Sequence, residues 1–434
     1  MWHATFVAIT TDKEIMFSFA WKWKLAGLLS AAALTMSAAA ADFDGMVSVG
    51  QHQLQVAQAG EGPYTVVFEA GFASDQSVWR KVAPAIAKHA AVLVYSRAGY
   101  GQSPARAQPL TMEQSAAELA EVLSQRKVAG PLILVGHSYG GFLIRHFAAT
   151  HPEQVAGLVF VDPADEGLET VLKRIDAARV RQDQRMLADS IPPKWQGELQ
   201  TIQKILDAGR LPATPNLPDV PTVLITSVQS RAGSDFFQET PDVIRIKRER
   251  HAAFMTQFSS GAHVYTPNSG HGIQMQEPEL VIAAINQVMA SATQNAARVA
   301  RAQARQTLMG ELEQSAALLG KQQQDAASHR VAAALKNSQL NEAEINTLGF
   351  DLLGKAKQPA LAALVLAYNS QAYAQSHNAA DSHGEALLAL GLPAEAQRQF
   401  ERALALGQAG GAREQAMAGY RQHLLSAQQA LTQP

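Results

Sequence analysis

Between residues 43 and 292, short apolar runs recur at strand length, and most lack polar alternation. The first two do alternate: 46–49 and 54–57 place apolar residues at every second position, as the arms of a hairpin would. The runs at 65–69, 91–95, 132–135, 157–161 and 222–226 are nearly continuous, and 262–265 is a last, weaker one. Continuous runs belong to strands covered on both faces. Amphipathic segments lie between them. One carries Trp79, Val82 and Ile86, a second spans 112–128 with Ala116, Leu119, Ala120 and Leu123 on one face, and a third covers 142–149. Strands alternating with helices predict an α/β fold with a mostly parallel sheet.

Two regions break this rhythm. The interval 165–220 is too long for a simple crossover. Leu168, Val171, Leu172 and Ile175 predict one helix in it, and Ile202, Ile205 and Leu206 another, with Pro192-Pro193 between them. This reads as a helical cap, in which Met186 and Trp195 either line a pocket or fill the cap's own core. Beyond 292 alanine and glutamine dominate, and helices are predicted at 296–320 and 322–336. A weak repeat follows: Leu348-Gly349-Phe350-x-Leu352-Leu353 is echoed 35 residues on by His383-Gly384-Glu385-x-Leu387-Leu388. The region 293–434 is thus all-α and Ala/Gln-rich, with repeat-like units at about 345–410. So short an array has little stability of its own, and it would pack on a neighbour, on a second copy, or around a protein or peptide partner.

The N-terminus has the order of an export signal. Lys22 and Lys24 precede an apolar stretch, 25–34, and small residues follow up to Ala41. Cleavage near Ala40 or Ala41 would remove 1–41 as the signal and leave a periplasmic or secreted chain with domains at 42–292 and 293–434. A retained membrane anchor is the alternative. The chain has 36 basic and 38 acidic residues in 434, a balance that gives no footing for nucleic acid. It has no cysteine, which excludes disulfides, thiolate metal sites and a cysteine nucleophile. No metal or cofactor is expected.

The candidate chemistry centres on Gly136-His137-Ser138-Tyr139-Gly140, a G-x-S-x-G pattern between an apolar run and a helix. In that setting the serine sits on a sharp strand-to-helix turn, and the glycines remove side chains that would collide across it. Three further pieces come in order: Gly71-Phe72 after the early strand, Arg97-x-Gly99-x-Gly101-x-Ser103, and a late Gly270-His271-Gly272. Together, residues 43–292 resemble the α/β-hydrolase superfamily. Ala70 and Ser96 depart from its commonest pattern, where a histidine and an aspartate are usual. The segment 345–410, above all Pro393-Ala394-Glu395-Ala396-Gln397, resembles tetratricopeptide units.

A serine hydroxyl needs a base, and histidine titrates in the right range. The resemblance points to His271, on the loop after the last strand. His137 is read as structural and His263 as core or edge. The acid would orient the imidazole and stabilise its cation. Many relatives carry it after the strand that here is 222–226, but no carboxylate follows there until Asp235. Asp162-Pro163-Ala164 is similar to the acid-bearing segment of pancreatic-type lipases, so Asp162 is favoured, with Asp235 as the alternative acid and Asp165 and Glu166 behind it. The resemblance implies an oxyanion hole from the backbone amides of Phe72 and Tyr139. The basic stretch Arg245, Lys247, Arg248, Arg250 and His251 reads as a solvated helix face, with an anion site as the other option. The reading as a whole is an exported serine hydrolase cleaving a carboxylic ester through an acyl-enzyme. An aminopeptidase or amidase on the same residues is the alternative within catalysis, and a non-catalytic protein binding through its helical region is the alternative outside it.

Overall fold

The computed structural model describes residues 42–128, 130–212 and 215–432. The export signal therefore lies outside the described residues. The chain forms two compact units, Met1–Gln294 and Asn295–Pro434.

The first unit is built on eight strands: β1 Phe43–Val49, β2 His52–Ala59, β3 Thr65–Glu69, β4 Ala91–Ser96, β5 Leu132–His137, β6 Val155–Val161, β7 Thr222–Ser227 and β8 Gly261–Thr266. Their order in the sheet is β1-β2-β4-β3-β5-β6-β7-β8. The β1-β2 and β2-β4 pairings are antiparallel, and every pairing from β4-β3 to β7-β8 is parallel. The apolar runs are continuous because alternate residues feed two different cores. Val67, Leu93, Leu134 and Phe160 face one, with Phe147 from a helix. Val66, Phe68, Ile133, Val135 and Val159 face the other, with Trp79 and Ile285.

Six helices of this unit precede its last one: α1 Ala83–Ile86, α2 Met112–Gln125, α3 Gly140–Thr150, α4 Leu168–Ser190, α5 Gln196–Ala208 and α6 Pro241–Met255. The single helix predicted around Trp79, Val82 and Ile86 is instead a 3-10 turn, Gln76–Trp79, followed by the one-turn α1. Pro84 explains the break, because proline is tolerated only in the first turn of a helix. Helices α4 and α5 form the cap. Within α4, Asp176 leaves the helical conformation and its Oδ1 accepts the Ala178 and Arg179 amides at 3.0 Å each, so it recaps the second half.

After the short α7, Ile273–Gln276, helix α8 runs unbroken over Pro278–Gly320. The sequence predicted a helix at 296–320; it is the second part of one that starts at Pro278. Neither proline nor glycine occurs between Pro278 and Gly310 to interrupt it. The second unit continues with α9 Gln324–Asn337, α10 Glu342–Gly354, α11 Pro359–Ala372, α12 His377–Ala389, α13 Pro393–Gly410 and α14 Glu414–Thr432. Its sequence repeat has a structural cause. A Cβ on Gly349 of α10 would lie 2.4 Å from Leu366 of α11, and one on Gly384 of α12 would lie 2.5 Å from Phe400 of α13. Each glycine is the notch in which the second helix of its pair rests. No helix among the described residues is long and apolar enough to cross a membrane.

Candidate functional site

The turn after β5 has the geometry its glycines predict. Ser138 has φ 52°, in the left-handed region, and α3 starts two residues later. A Cβ on Gly136 would be 2.7 Å from the Gly140 carbonyl oxygen, and one on Gly140 would be 2.5 Å from the Glu69 carbonyl oxygen. Both obstacles are backbone, so neither can swing aside. The turn is closed by the amides of Gly141 and Ala164, which donate to the Ser138 carbonyl at 2.9 and 3.0 Å.

The loop after β3 passes directly against it. A Cβ on Gly71 would lie 3.2 Å from Ser138 Cβ and 2.8 Å from His137 Nδ1. Among the described residues, the amides of Phe72 and Tyr139 have no hydrogen-bond acceptor, although Tyr139 is buried. Buried amides are rarely left so. The two free donors are those expected to face an oxyanion.

On the other side, Asp162 directly follows β6; it is buried and has φ 41°. His271 Nδ1 donates to Asp162 Oδ2 at 2.7 Å. Asp162 Oδ1 accepts the Ser227 amide at 2.9 Å, and Lys247 Nζ reaches both oxygens, at 3.0 and 3.2 Å. Burial alone would push the Asp162 carboxyl up; the Lys247 ammonium, and then the His271 hydrogen bond and charge, hold it well below the usual carboxylate range. His137 is buried, and its Nε2 donates to the His271 carbonyl at 2.8 Å, with the two rings 4.7 Å apart. It supports the His271 loop. Burial, with His271 beside it, lowers its pKa to about 3, so it stays neutral. No hydrogen bond joins Ser138 Oγ to His271 among the described residues; such contacts often tighten only when substrate is bound.

Residues 64–202 match the family model for the alpha/beta hydrolase fold. This unit has the α/β-hydrolase fold. Curated relatives include the uncharacterized protein YqjL of Bacillus subtilis, 24% identical over 238 residues, covering 55% of this chain and 88% of that protein. The lipase LipV of Mycobacterium tuberculosis is 36% identical over 124 residues, covering 28% of this chain and 42% of that protein. Among solved structures, a serine hydrolase involved in carbazole degradation is 18% identical and covers 58% of this chain and 99% of its own, with a TM-score of 0.41. The fold supports a hydrolase acting on a small molecule.

The other sequence-predicted residues fall away from this α/β-hydrolase site. Asp235 is exposed in the loop before the turn Phe237–Glu239, without a contact to His271. Asp165 is bound by Arg250 Nη2 at 2.7 Å, and Glu166 by both terminal nitrogens of Arg145, at 2.7 and 2.9 Å. His263 lies on the edge strand β8 with its Nε2 2.8 Å from Thr226 Oγ1. Met186 is exposed, and Trp195 stacks on Tyr100 at 5.1 Å while its Nε1 donates to the Gly99 carbonyl. Trp195 therefore anchors the cap. The residues over the turn are an apolar cluster of Tyr139, Phe142, Ile202 and Ile205, with Phe72 and Leu206 against it. The broad groove of about 1210 Å³ bordered by Gln55, Trp79, Arg80 and Val92 touches none of Ser138, Asp162 or His271.

Sequence reasoning missed two groups. Arg97 was seen only as part of a loop motif. It is buried, and its Nη1 donates to Glu69 Oε1 at 2.7 Å and to the Ala70 carbonyl at 2.6 Å. Its Nη2 donates to the Gly71 carbonyl at 2.9 Å, and its Nε to Glu198 Oε1 of the cap at 3.3 Å. It thus fixes the loop that carries the Phe72 amide. The basic stretch before β8 is also corrected: it is a solvated face only in part. Arg245 pairs with Glu249 on the outside, whereas Lys247, Arg250 and His251 turn inward to Asp162, Asp165 and Thr226. The signal was available, since 243, 247, 250 and 254 repeat at helical spacing with Val243 and Phe254 apolar. In the second unit, Asp381, Glu385 and His423 bring metal-ligand atoms within 4.8 Å of one another. The bond from His423 Nδ1 to Asp381 Oδ1, at 3.0 Å, accounts for the cluster as a contact between α12 and α14.

Proposed function

We propose that the protein is a serine hydrolase cleaving a carboxylic ester through an acyl-enzyme. Ser138 attacks the carbonyl, His271 takes its proton and returns it to the leaving alcohol, and Asp162 holds the imidazole and stabilises its cation. The amides of Phe72 and Tyr139 receive the developing oxyanion. The observation that carries this reading is the conjunction of the 2.7 Å bond from His271 to the buried Asp162 carboxylate with a serine held at φ 52°. The apolar surroundings of Phe72, Tyr139, Ile202 and Ile205 suit an uncharged acyl group better than a charged one. Loss of one oxyanion donor typically costs about 2.7–4 kcal/mol of barrier, so the Arg97 scaffold behind Phe72 belongs to the same reading.

Export through the segment ending near Ala41 remains part of the proposal, as does the likeness of the C-terminal helix pairs to tetratricopeptide units that bind a peptide. The mature N-terminus from the native host should begin near Ala41 or Asp42. For the chemistry, a fluorophosphonate probe should label the purified chain, and Ser138→Ala should abolish labelling. A folded wild-type protein that resists the probe and hydrolyses no ester across a panel of acyl lengths would refute it.

A further inference from the structure

We propose that Lys247 is a positioning residue of this site: its ammonium clamps both oxygens of the Asp162 carboxylate and sets how much of that charge the His271 imidazole feels. The inference rests on the reading of Asp162 and His271 as acid and base.

The geometry begins with α6. Val243 and Ile244 are buried, and Lys247, one turn on, follows them inward. Its side chain is 16% exposed and that of Asp162 only 3%, so water screens the pair little. Lys247 Nζ lies 3.0 Å from Oδ1 and 3.2 Å from Oδ2. The Ser227 amide takes Oδ1 as well, at 2.9 Å. The carboxylate is therefore fixed in plane and in rotation, and Oδ2 alone is presented to His271. An acid held only by the imidazole could turn about its side-chain bonds. This one cannot.

The charges decide the second effect. The groups around the pair come from four elements. From α6, Lys247 is the ammonium, and His251 is kept neutral by burial, which lowers its pKa to about 4. From β5, His137 is neutral for the same reason. From β8, His263 faces Thr226. After β6, Asp165 is matched by Arg250. Asp162 thus has two cationic partners, Lys247 and the protonated form of His271. When Ser138 gives its proton to His271, the new imidazolium shares its counter-ion with an ammonium already in place. The ammonium therefore takes up part of the carboxylate charge that the imidazolium would otherwise have to itself.

The test uses the full-length protein with Lys247→Met, Lys247→Gln and Lys247→Arg. Two readouts are followed across pH 4–9: the rate of fluorophosphonate labelling and the His271 imidazole resonances by NMR. Removing the ammonium should move the acidic limb of the labelling profile up by ~1 pH unit, with the imidazole titration moving in step, as for the loss of a charge within hydrogen-bond reach. Lys247→Arg should leave the limb in place. A merely structural lysine would lower the rate at every pH alike and leave the limb unmoved, and that outcome overturns the inference. If neither charge-removing variant folds, the wild type still decides. The Lys247 side-chain resonances should then shift with the same midpoint as His271, and separate midpoints overturn the inference. A wild type that is never labelled defeats the ester-hydrolase reading, whereas the NMR titrations remain informative about Lys247.

Discussion

Two buried carboxylates flank the Ser138 turn, Glu69 at the end of β3 and Asp162 directly after β6, and they are held in opposite ways. Glu69 meets Arg97 and the Tyr95 hydroxyl, both themselves buried, and Arg97 in turn is saturated by two backbone carbonyls and Glu198. Burial pushes the Glu69 carboxyl up, against the pull of Arg97. Asp162 has a half-buried cation in Lys247, and its other partner, His271, is 43% exposed. Its carboxyl is held down. The materials are the same, a carboxylate and a cation. The difference is whether one partner can exchange a proton with solvent and substrate. A closed network makes a scaffold, and an open one can do acid–base work.

Four experiments can break or sharpen that contrast. The largest effect is expected from Asp162→Asn, which should cut turnover by roughly 10⁴-fold, because the amide no longer holds the imidazole in its working tautomer. Glu69→Gln should leave turnover within about tenfold of wild type, since an amide oxygen can still accept from Arg97. Equal losses would erase the distinction. Next, Arg97→Met should lower the unfolding free energy measured in urea by about 3–5 kcal/mol, because it strands a buried carboxylate. An unchanged urea midpoint would mean that the Glu69 network is not a scaffold at all.

The third experiment follows stability against pH, and the two acids carry opposite signs. The folded-state pKa of Asp162 is depressed, so its contribution is fully present above the unfolded value of about 3.9 and is lost as pH falls through the folded one. The stability gap between wild type and Asp162→Asn should therefore narrow by about 1 kcal/mol between pH 6 and pH 3. Glu69 is raised, so its contribution is complete below about pH 4.3 and declines as pH rises through the folded value. Wild type should accordingly gain on Glu69→Gln as pH falls. Gaps moving in one direction would contradict the assignment. The smallest effect is expected from Arg245→Ala, two residues from Lys247 on the same helix. Its exposed pair with Glu249 should be worth no more than about 0.5 kcal/mol.

Much of this was legible in the sequence because it follows from local rules. Strand positions were set by continuous apolar runs, and the elbow by glycines whose absent side chains the backbone at Gly140 and Glu69 would otherwise meet. Asp162 was favoured over Asp235 by the likeness of Asp162-Pro163-Ala164 to the acid-bearing segment of pancreatic-type lipases, a resemblance rather than a local rule, and His271 lies against it. What escaped was long-range. Nothing near Lys247 in the chain reveals that an aspartate 85 residues earlier meets its ammonium. Likewise Arg97 finds Glu198 only because the cap folds back over its loop. Propensity was also overruled where geometry interfered. Pro84 split one predicted helix, and the absence of any breaker let the helix predicted from 296 start already at Pro278.

The backbone at Ser138 carries one more implication. A left-handed conformation, φ 52°, disfavours any residue with a Cβ and suits glycine best. Backbone stability alone would favour glycine there and remove the hydroxyl on which the proposed reaction depends. Under the proposed reaction, serine at this position is a side chain kept for its hydroxyl at the expense of backbone ease.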